Sequence, residues 1–139
     1  MQMHTYLNFD GNCREAMEFY RDHLGGEITA MMTWGEAPFA DEVPPESRDR
    51  IMHACFQLGG HMLMGTDATS QHPYRGITGS SVVLEAPDAE TAERLFQSLS
   101  DGGRVDMPMD ETFWAHRFGM LVDRFGVPWM INCGKEESR

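Results

Sequence analysis

The sequence predicts an α+β fold made of two similar modules, each with the element order βαβββ. The main observation is a repeat: the two halves align at an offset of about 76 residues, with Ala16 on Ala92 and Tyr20 on Phe96. Each half also has one segment of helical apolar spacing, followed by alternating segments bounded by glycine turns, as is typical of strands. The chain has 139 residues, a length that fits a single domain with a sizeable core.

The first module is predicted over about residues 1–66. A short strand ends near Phe9, and Asn12 follows as a good helix N-cap, with Glu15 completing a capping box. The helix stops at Gly25-Gly26. The remaining predicted elements are a strand at 27–33, a long loop at 35–50 with a Pro-Pro pair, and a hairpin at 52–64.

A polar linker at 67–78 separates the modules, and the second module is predicted over about 79–133. Asp88 is its helix N-cap. Each half is expected to read strand, helix, strand, long connection, hairpin. Because one helix covers only one face of a curved sheet, two modules side by side would form an incomplete barrel with a cavity. The tail, 134–139, is charged.

The hairpin at 112–133 has the most distinctive composition. It opens with Phe113, Trp114 and His116, an aromatic cluster that contains one titratable ring. Residues 123–126, Asp-Arg-Phe-Gly, predict a tight turn. Trp129 in the following strand is large enough to form the floor of a pocket.

Composition excludes several function classes. The net charge of −11 argues against a nucleic-acid or acidic-membrane surface, since phosphate groups require clustered Lys and Arg. No apolar run approaches the roughly 20 residues of a membrane helix, and the first residues do not resemble a signal peptide. Cys13, Cys55 and Cys133 are odd in number and form no CxxC pair, which favours free thiols in a reducing cytoplasm.

Several motifs together resemble a known family. They are YLNF at 6–9, Leu-Gly-Gly at 24–26, Trp-Gly-Glu at 34–36, ETFWAH at 111–116, FGV at 125–127 and WMIN at 129–132. With these motifs the sequence resembles the PhnB-like branch of the glyoxalase/bleomycin-resistance (vicinal oxygen chelate) superfamily. The resemblance implies the paired βαβββ fold and a homodimer, and it is a better guide to fold than to function.

The resemblance also implies where a divalent metal would bind, on the first, fourth, fifth and eighth strands. In this sequence those positions fall on His4, Met64, Ser80 or Ser81, and Met130. Thioethers and hydroxyls cannot supply the charge that a hard cation needs, so His4 is the one plausible inherited ligand and no metal cofactor is expected. A register slip of one residue would bring His53 or His61 into play.

His116 is the candidate catalytic acid or base, because imidazole titrates near neutral pH, and Glu111 is a candidate partner. The alternative is a histidine at a hairpin edge beside a solvated turn. The candidate ligand pocket consists of large apolar side chains, for which ordinary core is the alternative interpretation: Trp34, Met64, Trp114, Trp129 and Met130.

Three functions are compatible with this pattern. The first is binding of a small organic molecule, with metal-independent acid/base chemistry at His116 if the protein is an enzyme. The second is sequestration of a ligand without catalysis, as in bleomycin-resistance members, where the acidic surface would suit a cation. The third is a metal-dependent lyase or dioxygenase. The PhnB-like branch is sometimes labelled methyltransferase-like, but no glycine-rich nucleotide loop lies between a strand and a helix here, so methyl transfer has no support in the sequence.

Overall fold

The computed structural model describes residues 1–135, and within it the chain divides into two compact units between Gly76 and Ile77. Each unit contains a four-stranded sheet and one long helix. The predicted charged tail lies outside the described residues from position 136 onward. None of the helices in the described part is long and apolar enough to cross a membrane.

The first unit contains five main elements: β1 (Thr5–Phe9), α1 (Cys13–Leu24), β2 (Glu27–Thr33), β3 (Ile51–Leu58) and β4 (His61–Asp67). Its strand order is β1-β4-β3-β2, with β1 parallel to β4 and the other pairs antiparallel. Residues 34–50 connect β2 to β3 through three short 3-10 turns. The predicted long loop is therefore present, although it is not devoid of local structure.

The second unit repeats this plan with β5 (Val82–Glu85), α2 (Ala89–Ser100), β6 (Arg104–Asp110), β7 (Ala115–Val122) and β8 (Pro128–Gly134). Its strand order, β5-β8-β7-β6, is the same permutation as in the first sheet, with β5 parallel to β8. The predicted paired βαβββ fold is confirmed. The long connection expected in both halves is wrong for the second, where residues 111–114 alone separate β6 from β7.

Strand alternation fixes which side of the first sheet packs on its helix. Leu7 and Phe9 of β1 are buried, and so is Gly65 of β4. A Cβ on Gly65 would lie 2.8 Å from Cε of Met17, so this strand needs a glycine for α1 to approach it. The amphipathic α1 buries Cys13, Ala16, Met17 and Tyr20. The residues that alternate with the buried ones along β1 and β4 point to the opposite side of the sheet.

The start of α1 is held by a distant side chain. Asp67 accepts a hydrogen bond from the Cys13 N–H at 2.9 Å and from the Ile51 N–H at 2.8 Å. Asn12 is the N-cap residue, but its side chain makes no capping bond. The capping box predicted from Asn12 and Glu15 is therefore wrong, because Asp67 at the end of β4 already satisfies the first helical N–H.

The second unit follows the sequence prediction more closely. Asp88 caps α2 by accepting a hydrogen bond from the Thr91 N–H at 2.7 Å, as predicted. The side chains of the predicted apolar face are buried: Ala92, Leu95, Phe96 and Leu99. The turn at 123–126 is also present, closed by the Gly126 N–H donating to the Asp123 carbonyl at 3.0 Å.

Candidate functional site

A cavity forms on the side of the first sheet that faces away from α1. Asn8 of β1 is paired with Thr66 of β4, and Tyr6 is paired with Met64. Because Leu7 lies on the helix side, these four residues belong to the other face. Tyr6, Asn8 and Thr66 line the cavity, which measures about 600 Å³.

A β-bulge adds a further residue to this face. Met32 of β2 is opposite His53 of β3, whereas the next residue, Thr33, is opposite Ile51. One extra residue, Met52, is thus inserted in β3, and Met52 joins the cavity lining. No sequence pattern indicated this bulge.

The rest of the lining comes from Trp34, directly after β2, and from the connection that follows β4. All of these residues lie within the first unit, before Ile77. The lining residues from the last position of β4 onward are Asp67, Ala68, Thr69, Gln71, His72, Pro73, Arg75 and Gly76. A volume of this size, within the range of about 300–1,000 Å³ seen for small-molecule pockets, suits an organic molecule.

Trp34 is held in place by its backbone but not by its side-chain nitrogen. Its N–H donates to the carbonyl of Arg50 at 2.9 Å, and its ring lies 6.2 Å from that of Phe39. The indole Nε1 is buried and has no hydrogen-bond partner among residues 1–135. An unsatisfied buried donor costs about 1–3 kcal/mol, so an acceptor that reached this atom would be stabilising.

A second, smaller cavity of about 250 Å³ lies against the same tryptophan. Glu42 and Val43 of the long loop line it, and the residues that it shares with the first cavity are Trp34, Thr69, Gln71 and His72. The Trp34 side chain therefore lies between the β-sheet cavity and a pocket under the loop.

Ionisable groups around the larger cavity differ in availability. Both carboxylate oxygens of Asp67 accept backbone N–H groups, and the residue is 3% exposed. Burial raises the pKa of Tyr6, while a hydrogen bond with Thr66 acts in the opposite direction. The Tyr6 hydroxyl therefore stays neutral near pH 7, and its ring stacks on that of His53 at 6.1 Å.

The predicted pocket residues are only partly brought together. Trp34 lines the cavity, and Met64 lies on the same sheet face as Tyr6. In the second unit, Trp129 is buried and Met130 is half-buried at the next position of β8. Adjacent strand residues point to opposite faces, so one pocket cannot take both.

Trp114 and Trp129 also lie on different sides of the second sheet. Trp129 is on the buried side with Ile131. Trp114 packs edge-to-face on Phe118 at 5.4 Å and on Phe113 at 4.8 Å, and Phe113 is 89% exposed. The aromatic cluster predicted at the start of the hairpin therefore exists at the surface.

His116 and Glu111 are not partnered with each other. Ala115 is opposite Gly134 while Arg117 is opposite Cys133, so His116 is the extra residue of a bulge, and it is exposed. Glu111 forms an ion pair with Lys135 at 3.3 Å. The predicted acid/base pair has no shared hydrogen bond in the described part of the chain.

Sequence reasoning missed most of the cavity. Tyr6 and Asn8 were present in the YLNF motif, and strict alternation with Leu7 and Phe9 was a signal that they share a face. Arg75 and His72 lie in the polar connection after β4, where no periodic pattern marks one residue above another.

The comparisons with known proteins agree with this architecture. The sequence profile of the Glyoxalase/Bleomycin resistance protein/Dioxygenase superfamily matches residues 2–131. The chain belongs to this superfamily. It is 35% identical to Protein YjdN from Escherichia coli (strain K12), over 99% of this chain and 98% of that protein.

Solved structures place it in the PhnB/YjdN-like part of the superfamily. Protein PA1353 from Pseudomonas aeruginosa is 46% identical and superposes with a TM-score of 0.90, over 98% of this chain and 99% of the other. The PhnB protein from Bacillus cereus is 27% identical, with a TM-score of 0.80 over 96% and 100% of the two chains. The predicted branch of the superfamily is confirmed.

The residues present do not fit a divalent metal of the kind that the superfamily implies. Among residues 1–135, no group of three or more His, Cys, Asp or Glu side chains converges. His4 lies just before β1, and its Nε2 is 3.1 Å from Oε1 of Gln2. Cys55 of β3 and Met64 of β4 are paired and place sulfur atoms on the side of the first sheet that faces away from α1. A hard cation prefers oxygen and imidazole ligands, so no step is assigned to a metal.

Proposed function

We propose that this protein binds a small organic molecule in the cavity on the side of the first sheet that faces away from α1. The observation that carries the proposal is Trp34, which lines a cavity of about 600 Å³ and whose buried indole Nε1 has no partner among residues 1–135. The Tyr6 and Trp34 rings supply apolar surface, and Asn8 supplies an amide. This combination of apolar walls with a few polar groups is typical of a ligand site.

The cavity favours binding over the acid/base chemistry predicted at His116. His116 is exposed and does not line this cavity, and its candidate partner Glu111 is engaged with Lys135. Catalysis at His116 stays a prediction. If the protein is an enzyme, the cavity itself supplies His72 and the neutral Tyr6 hydroxyl as proton-transfer groups.

Location and assembly complete the proposal. A cytoplasmic homodimer is proposed on the resemblance to the superfamily, together with three free buried cysteines. No nucleic-acid or membrane partner is proposed, because the net charge of −11 opposes binding to phosphate-rich surfaces.

A cavity-filling substitution tests the proposal. Mixtures of small organic molecules would be screened by saturation-transfer NMR, and dissociation constants of the hits measured by calorimetry. Asn8→Phe fills the cavity from β1, whereas Thr5→Phe adds the same ring at an exposed position of the same strand. We expect Asn8→Phe to abolish binding of the hits and Thr5→Phe to preserve it. Hits that bind equally well to both variants would contradict the proposal.

A further inference from the structure

We infer that the ligand of this cavity is an anionic molecule built on a planar ring, such as an aromatic carboxylate. The inference rests on the proposed function and concerns the charge and shape of the molecule bound there. It runs against the overall charge of −11, which would by itself favour a cation.

The residues that line the cavity include no carboxylate that is free to contact a ligand. Asp67 is the one acidic residue among them, and its Oδ1 and Oδ2 accept the backbone N–H groups of Cys13 and Ile51. A cationic ligand in this cavity would therefore find no free carboxylate among these side chains.

Arg75, which also lines the cavity, carries a positive charge that could contact an anion. No hydrogen bond or ion pair joins the Arg75 side chain to any of residues 1–135, although the chain has 22 acidic residues. Neighbouring arginines are engaged: Arg50 donates to the Ala68 carbonyl at 2.7 Å, and Arg48 donates to the Val43 carbonyl at 3.2 Å. Arg75 is exposed and lines the cavity, and its guanidinium has no partner among residues 1–135.

The Trp34 indole and the Arg75 guanidinium, which both lack a partner among residues 1–135, are hydrogen-bond donors. Each donates hydrogen bonds and accepts none. A ligand that satisfies both needs acceptor atoms, and a carboxylate provides two oxygens that suit a guanidinium. The rings of Tyr6 and Trp34 give flat apolar surfaces on which an aromatic ring can pack.

Three probes of one shape separate charge from ring binding: 1-naphthoate, neutral 1-naphthamide and cationic 1-naphthylmethylammonium. Their dissociation constants would be measured by calorimetry with the intact protein. We expect naphthoate to bind about tenfold or more tightly than the amide, as for a hydrogen bond to a charged group. The cation is expected to bind most weakly.

Two variants test the residues named. Arg75→Gln should remove the preference for naphthoate over naphthamide, while Arg94→Gln, an exposed arginine on α2, should leave it unchanged. Trp34→Phe keeps an aromatic ring but removes the N–H, so it should weaken naphthoate binding several-fold.

The outcomes distinguish this inference from the proposed function. If the amide or the cation binds as tightly as naphthoate, or if Arg75→Gln leaves the preference intact, the anionic ligand is contradicted while the binding site stands. Naphthoate binding that Asn8→Phe does not weaken contradicts both. If Arg75→Gln loses the preference for naphthoate over naphthamide while Arg94→Gln keeps it, the inference is supported.

Discussion

The indole nitrogen of Trp129 donates a hydrogen bond to Oδ2 of Asp123 across 2.8 Å. Oδ1 of the same carboxylate accepts the N–H groups of Phe125 at 2.9 Å and Val127 at 3.0 Å. Asp123 is 3% exposed and Trp129 is 1% exposed. One buried side chain thus ties the β7–β8 turn and the indole of Trp129 to the core of the second unit.

Replacing Asp123 with alanine should destabilise the protein by about 2–4 kcal/mol, because three donors, two of them buried, lose their acceptor. Urea unfolding followed by circular dichroism measures the change. Asp101→Ala is the matched control: its carboxylate pairs with Arg124 at an exposed site, so a loss below about 1 kcal/mol is expected. Equal losses in the two variants would contradict the structural role of Asp123.

The unusual cap of α1 leads to a second comparison. Asp67→Ala removes the acceptor of both the Cys13 and the Ile51 N–H groups and should cost about 2–4 kcal/mol of unfolding free energy. Asn12→Ala should cost less than about 0.5 kcal/mol, since the Asn12 side chain makes no capping bond. Urea unfolding measures the free energy lost in each variant. A larger loss for Asn12→Ala than for Asp67→Ala would contradict the cap by Asp67 and support the cap predicted from the sequence.

Glycine 65 provides a packing test. An alanine Cβ there would approach Phe9 Cε2 at 2.9 Å and Met17 Cε at 2.8 Å, so we expect Gly65→Ala to lower the unfolding free energy by about 1–3 kcal/mol. At Gly60 a Cβ meets nothing within 4 Å, and Gly60→Ala should be neutral or slightly stabilising. Thermal unfolding of both variants measures the difference. A Gly65→Ala protein as stable as the wild type would show that α1 and β4 pack less closely than described.

The buried Cys13 thiol should make the stability of the folded protein depend on pH in the alkaline range. Burial raises its pKa from 9.0 to about 12, and the negative charge of Asp67 acts in the same direction. The native state therefore retains this proton while the unfolded state loses it. The resulting stability is present in full below pH 9.0 and is lost as the pH rises toward about 12.

Urea unfolding at a series of pH values from about 8 to 11 measures this effect. Relative to the wild type, Cys13→Ala should lose less stability over that range, because the variant has no thiol to ionise on unfolding. A constant difference between the two proteins across the series would contradict the assignment to Cys13.

The sequence was sufficient for features that depend on local pattern. The repeat, the α2 cap at Asp88 and the turn before Val127 all follow from short-range spacing, and the structure contains each of them. The family resemblance followed from the same short motifs, and it is confirmed by the match over residues 2–131.

What the sequence could not supply depends on pairing between distant strands. The α1 cap joins Cys13 to Asp67, 54 residues away, so no local rule could find it. Trp129 and Met130 were predicted to share one pocket, although alternation places adjacent strand residues on opposite faces, and no local pattern says which face packs on the helix. The bulge at Met52 arises from the pairing of β2 with β3, and it is the reason that Met52 joins Tyr6 and Asn8 around the cavity.

The central claim is that ligand binds at Trp34 in the first unit, and the three indole N–H signals of the protein test it most directly. In a ¹H–¹⁵N spectrum, titration with 1-naphthoate should shift the Trp34 indole peak as its Nε1 gains an acceptor. The Trp129 peak should stay in place, because its Nε1 is already bonded to Asp123. Single Trp→Phe variants assign the peaks. A titration that shifts the Trp114 or Trp129 indole while the Trp34 indole stays fixed would contradict the account.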